Sequence, residues 1–143
     1  MAARTTALIA LTFLAFAAAP AHGQAPISLI DAKQDQGGWK FDNGREFPGA
    51  RGQIALAETR FREQPVLALR SDFTQGGNYV QAAVDLPNAP IETLSFWVNA
   101  PRGATALPIR LIDASGQCHQ VRLKVNDKGG WQQIIVPVDE YFR

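Results

Sequence analysis

The sequence holds one cysteine, Cys118, among 143 residues. That excludes an internal disulfide and any multi-cysteine zinc centre. Cys118 itself reads as a small, half-buried apolar residue. Histidine occurs only at positions 22 and 119. There is no Gly-x-Ser-x-Gly elbow, no His-Glu-x-x-His pair and no phosphate-binding glycine loop. Nucleophilic, zinc-hydrolase and nucleotide chemistry therefore lack their usual carriers. An excess of either charge is also missing: there are 14 Lys plus Arg, one of them Arg4, and 13 Asp plus Glu, so residues 24–143 balance at 13 of each. Without a basic or acidic block, nucleic acid and anionic membrane are poor partners. Asn-x-Ser/Thr acceptors are absent as well.

What is present begins with "MAART", then the apolar run "TALIALTFLAFAAA", then small residues in "PAHGQA". One positive charge, an apolar run too short to span a bilayer comfortably and a small-residue cleavage region make residues 1–23 a secretory signal peptide. Cleavage after Ala21 or Gly23 fits; cleavage after Ala25 would leave Pro26 just past the cut. The competing readings of this run are a buried N-terminal helix and an uncleaved anchor. No cysteine follows that could carry a lipid. The expected product, residues 24–143, is soluble and secreted or periplasmic, and its roughly 120 residues suit one domain.

Helical periodicity is almost missing after the leader, whereas short period-two runs recur between Gly, Pro, Asn and Asp clusters, the pattern of an all-β sandwich or jelly roll. Strands are expected at residues 27–31, 53–58, 66–73, 78–86, 93–99, 107–114, 118–125 and 131–138. "DNG", "PGARG", "TQGGN", "PNAP", "APRGA", "ASGQ" and "NDKGG" supply the turns.

The alternation sends Leu67, Leu69, Val80, Ala82, Val84, Leu94, Phe96, Val98, Ile109, Leu111, Val121, Leu123, Val125, Ile134, Val136 and Val138 inward. The opposite positions carry Arg70, Asp72, Tyr79, Gln81, Ser95, Trp97, Asn99, Arg110, Gln120 and Arg122. Large aromatics thus share outward positions with planar polar groups.

"EFPGARGQIAL", "LALRSDFTQGGNYVQAAVDLP", "LSFWVNA", "PIRLIDASGQCHQ" and "GGWQQIIVPVD" follow one another in an order that resembles the galactose-binding-like β-jelly-roll module at the N-terminus of bacterial secreted glycoside hydrolases, akin to carbohydrate-binding modules. The resemblance covers Asp42 to Asp139. It implies an accessory domain that binds polysaccharide in a shallow cleft or packs against a catalytic barrel. That family runs past the "VPVD" strand into a loop and a closing strand. Here "DEYFR" follows, so the jelly roll is expected either to lack its closing C-terminal strand, as a fragment, or to receive one from the N-terminal segment. An incomplete jelly roll would leave an unpaired edge.

A pyranose presents a C–H face to an aromatic ring and hydroxyls to bidentate polar groups. Trp97 and Tyr79 are the candidate platforms, with Gln81, Arg110, Gln120 and Arg122 as hydrogen-bonding partners. The bland alternative puts Trp97 under a loop, where burial contributes about 2–3 kcal/mol to folding, and makes the arginines a solvated face. Trp39 and Trp131, beside Gly-Gly pairs, read as plugs at the ends of the sandwich.

For catalysis, His119 would act alone and falls inward with Val121, which favours a structural role. A glycosidase needs two carboxylates about 5–10 Å apart, and the outward positions offer Asp72 and Asp85 without an obvious acid–base pair of carboxylates. Such jelly rolls often resemble calcium binders. Asp31, Asp42, Asn43 and Glu46 are hard donors suited to a structural Ca²⁺, although "DNG" as a simple turn accounts for them better.

The expected function is therefore a non-catalytic carbohydrate-binding or accessory module, the N-terminal piece of a glycoside hydrolase, with polysaccharide or oligosaccharide and a catalytic domain as partners. Its competitors are a purely structural β-domain that packs against a catalytic domain without binding sugar, and a glycosidase fragment with residual activity.

Overall fold

A computed structural model describes residues 6–12, 28–30, 38–86 and 89–142. Nine strands occur among the described residues: β1 (Thr6–Thr12), β2 (Lys40–Asp42), β3 (Arg51–Phe61), β4 (Gln64–Asp72), β5 (Gln81–Ala83), β6 (Thr93–Ala100), β7 (Ala106–Ile112), β8 (Cys118–Lys124) and β9 (Gly130–Pro137). A single helical turn, α1 (Val138–Tyr141), follows Pro137. The all-β expectation holds. No helix among the described residues is long and apolar enough to cross a membrane.

Five strands form one sheet in the order β3-β4-β1-β6-β9, while β2-β5 and β7-β8 are antiparallel pairs. β1 runs antiparallel to both neighbours: Ala10 stands opposite Ala68 and Asn99, and Leu11 opposite Leu67 and Val98. This strand lies inside the segment whose composition reads as the leader.

Alternation along these strands buries one face. Phe96, Val98, Ala100, Leu123, Val125, Ile134 and Val136 form one apolar cluster, with Leu107, Ile109 and Val121 packed on it, so the β7-β8 pair sits against β6 and β9. Ile30, Trp39, Ile54, Leu67 and Leu69 form a second, with Phe41, Val80 and Ala82 packed on it, so β2-β5 sits against β3 and β4. β4 differs from the other strands: Val66, Leu67, Ala68 and Leu69 are all buried, so both of its faces are covered. A continuous apolar run rather than an alternating one is what such a strand requires.

The structure redraws several expected elements. The 78–86 run is strand only over Gln81–Ala83, and β2 was not foreseen. Of the 27–31 run, residues 28–30 are described and belong to no strand, although Ile30 is buried; Ile27 and Asp31 lie outside the described residues. The expected strands at 53–58 and 66–73 are the arms of one long hairpin. Its tip is a two-residue turn in which Arg62 and Glu63 both have positive φ, 50° and 63°. This is the geometry that matches strand twist in tight hairpins, and it normally selects Asn or Gly, so no sequence signal announced it. Trp39 is buried in the second cluster, and its Nε1 donates to the Leu29 carbonyl at 2.8 Å. Cys118 is exposed, opposite Ile112 at the end of the β7-β8 pair, rather than half-buried.

Phe96 is wholly buried at the centre of its cluster, whereas Ile135, one strand away, is 57% exposed. Phe96→Ala should destabilise the chain by about 3–5 kcal/mol, while Ile135→Ala should stay within about 0.5 kcal/mol of wild type. Urea unfolding of the two variants measures the contrast.

Candidate functional site

Three-residue strands β2 and β5 expose alternate side chains. Phe41 and Ala82 point into the core, which leaves Lys40 and Asp42, and Gln81 and Ala83, on the outside. Together with Arg45 and Glu46 they line a shallow cleft of about 470 Å³. Gln81 Nε2 donates to Asp42 Oδ2 at 2.7 Å, and Asp42 Oδ1 accepts the Gly44 amide at 3.1 Å. Asp42 thereby shapes the "DNG" turn and orients Gln81 at once.

Tyr79 borders this cleft. Its hydroxyl donates to Glu46 Oε1. That bond holds the Glu46 carboxyl below the usual carboxylate range and pushes the Tyr79 hydroxyl up. The Arg110 guanidinium lies 5.5 Å from the Tyr79 ring centroid, and Arg110 Nε donates to Gln120 Oε1 at 2.8 Å. A run of contacts therefore links Glu46, Tyr79, Arg110 and Gln120, and a second bond links Asp42 to Gln81. Arg122 stands exposed one pair further along the same face, opposite Pro108.

Of the expected sugar-contacting residues, Tyr79, Gln81, Arg110 and Gln120 come together in this way, with Arg122 at the margin. Trp97 does not join them. It alternates with Phe96 and Val98, whose side chains enter the core toward β7-β8, so Trp97 faces away from that pair. Arg110 and Gln120 face outward from β7-β8, since Ile109 and Val121 take the core side. Trp97 and Arg110 consequently occupy opposite surfaces of the molecule.

The neighbours of Trp97 come from the β3-β4 hairpin. The pairing of β3 with β4 shifts register between Leu56 and Arg60, an irregularity that strengthens local twist. Beyond it, Phe61 stacks on Trp131 with centroids 4.1 Å apart and lies 5.3 Å from Trp97. The Arg62 guanidinium stands 4.0 Å from the Trp97 ring centroid. This is a close cation–π contact, and it covers the ring. Trp131 is a member of that outer cluster rather than a plug at an end.

The Tyr79 bond acts on the Glu46 carboxyl in the direction opposite to acid chemistry: a general acid needs a raised pKa, and this bond lowers it. His119 is half-buried, with Nε2 3.4 Å from Asp113 Oδ2. As to calcium, no group of three or more His, Cys, Asp or Glu side chains that could hold a metal occurs among the described residues. Asp42 and Glu46 are bonded to Gln81, Gly44 and Tyr79, Asn43 Nδ2 donates to the Ala50 carbonyl, and Asp31 lies outside the described residues.

Asp42 and Glu46 entered the sequence reading only as metal donors, and Gly44 only as part of a turn. Gly44 is the floor under Tyr79: a Cβ there would lie 2.7 Å from the ring, at a backbone φ of +59°. No periodic signal marks such a contact.

Two outcomes follow. Gly44→Ala should displace Tyr79 and destabilise the chain by about 1–3 kcal/mol through clash and positive φ, read as a lower urea midpoint with altered Tyr79 ring resonances. Asp113 accepts from Ser115 Oγ and from the Ser115 and Gln117 amides, and these bonds lower its pKa from 3.8 to about 2. Because the folded value lies below the unfolded one, its contribution is complete above pH 3.8 and is lost as pH falls toward 2. An NMR titration should place the Asp113 midpoint near 2, with the Ser115 and Gln117 amides following it. Asp113→Asn should abolish that step.

Comparison with protein families, with curated proteins and with solved structures finds no match to this chain.

Proposed function

We propose that this chain is a non-catalytic carbohydrate-binding module, a secreted β-sandwich of jelly-roll type, whose site is the cleft at Asp42, Glu46, Tyr79 and Gln81. The sandwich reading has its support in the packing: the five-stranded sheet lies on one side of both apolar clusters, and the β2-β5 and β7-β8 pairs lie on the other. The observation that carries the binding reading is the convergence of planar polar side chains around one aromatic residue. Tyr79 is bonded to Glu46 and has the Arg110 guanidinium 5.5 Å from its ring centroid, while Glu46 lines an open cleft together with the bonded Asp42–Gln81 pair. Carboxylate, guanidinium and amide groups held in place by one another match the paired hydroxyls of a sugar, and their charge-assisted bonds are the strong ones. Association with a glycoside hydrolase as an accessory module follows from the same reading, as does export behind residues 1–23.

A second reading is favoured by the opposite surface. Phe61 and Arg62 cover Trp97, while Ile135 stands exposed beside this aromatic cluster. That face suits packing against a neighbouring domain and needs no sugar.

Affinity electrophoresis across a panel of neutral and acidic polysaccharides separates the two. Carbohydrate binding predicts retardation of the wild type, weakened about tenfold or more by Tyr79→Ala or Gln81→Ala, which corresponds to roughly 1.4 kcal/mol or more. Trp97→Ala should lose stability and keep its retardation. If no polysaccharide retards the wild type, or if the Tyr79 and Gln81 variants bind as well as it does, the cleft is not a sugar site and the scaffold reading stands.

A further inference from the structure

The strand β1 makes two demands that one segment cannot meet throughout the life of the protein. Within the fold it is the central strand, bonded on one side to β4 over Thr6–Leu11 and on the other to β6 over Ala10–Thr12. Within the sequence, the same residues belong to an apolar run that reads as an export leader, and the inference rests on that reading. Once residues 1–23 leave, β4 and β6 each face a gap one strand wide. Both strands are antiparallel to β1, so they run parallel to each other. They cannot simply close as an antiparallel pair, and about 9–10 Å separates strands two places apart in a sheet. The gap is flanked by apolar surface: Val66 through Leu69 on β4, and Phe96 and Val98 on β6, are all buried.

We infer that the place of β1 between β4 and β6 is a strand-acceptor site, which takes an extended, uncharged, apolar segment of another polypeptide, antiparallel to both flanking strands. The present occupant, "TALIALT", shows the chemistry: seven residues without charge, held by backbone pairing on both edges. Addition of a strand to open sheet edges is an established mode of peptide capture. Among the described residues the chain offers no evident replacement of its own. Leu29 and Ile30, the nearest described residues after the leader, are already engaged with Trp39 and the core. A second copy fits no better, since every other strand among its described residues is paired within its own sheets.

The site opens only when residues 1–23 are removed, and N-terminal sequencing of the exported protein tests that step separately. A start at residue 22 or 24 supports removal; an intact N-terminus overturns it whatever the acceptor does.

The acceptor itself is tested on the full chain with a specific protease site inserted between Thr12 and Gln24 and cut after folding. The probe is a fluorescent peptide of sequence TALIALT, with a control carrying Asp at the positions of Leu8 and Leu11. Expected are saturable uptake by the cut protein, no uptake by the uncut protein and at least a tenfold preference over the control. If the cut chain loses its fold, excess unlabelled TALIALT present during cutting should preserve it, and failure to do so overturns the proposal. So do three other outcomes: a cut chain that releases the fragment and stays folded without taking peptide, one that dimerises instead, or equal uptake by uncut protein. In the intact chain, Ala10→Pro removes an amide at the residue paired on both sides. A variant as stable as the wild type would show that this strand does not support the sheet.

Discussion

Everything in this structure hangs on the backbone pairing of β1 with β4 and β6. The two apolar clusters lie under different halves of the five-stranded sheet, one beneath β3 and β4 and the other beneath β6 and β9. β1 is the strand that makes those halves continuous. Each half alone would be a two-stranded layer covered by another two-stranded pair, and such small units are marginal in water. Joined, they allow Leu67 and Val98 to line one surface across the Leu11 position. Backbone hydrogen bonds supply this continuity, and they require only an extended strand of suitable polarity, not a particular set of side chains. An apolar segment whose composition reads as a leader can therefore occupy the position.

The same dependence explains β4. A strand at the edge of a sheet would expose Val66 and Leu67 to solvent; with β3 on one side and β1 on the other it is interior, and its run of four buried residues is consistent with that place. Edges with apolar, unpaired backbone are where β-sheet proteins aggregate. Loss of β1 with nothing in exchange would put the least polar strand of the molecule at such an edge.

How much could be read from the residues alone divides along a physical line. Period-two alternation reports which side of a strand is buried. It sent Leu67, Leu69, Phe96, Val98, Leu123, Ile134 and Val136 inward, and all are buried. It cannot report which of two layers a strand belongs to, because outward residues of both layers carry the same signature. Trp97 and Tyr79 were grouped for that reason, yet Trp97 faces out from β6 and Tyr79 lies beside Arg110 on the other surface. The Arg62–Glu63 turn was equally illegible, since neither residue type advertises positive φ. Gly44 acts through a tertiary contact with Tyr79, and β1 was hidden by a composition that reads first as a leader. Alternation was strongest where strands are long, as in β6 and β9, and weakest for the three-residue β2 and β5 that build the cleft.

That the cleft rests on such short strands bears on what it can recognise. Its geometry comes less from sheet pairing than from polar bonds: Asp42 holds Gln81 and the Gly44 amide, and Glu46 holds Tyr79. The Tyr79 ring packs on Gly44 on one side and has the Arg110 guanidinium near it. Stacking a sugar on a broad open aromatic face is thus not what this site is built for. Its open groups are hydrogen-bonding edges, and each neutral bond gained from a hydroxyl exchanges for one with water at a net of only about 0.5–1.5 kcal/mol. On the proposed sugar-binding reading, selectivity in such a cleft would have to come from several groups acting together, with Glu46 and the nearby Arg110 as the charged ones. Displacing one of them disturbs the others, because they are bonded to each other before any ligand arrives. Trp97, by contrast, is already in contact with Phe61 and Arg62, so its ring is used in holding the hairpin down over the outer face of the sheet.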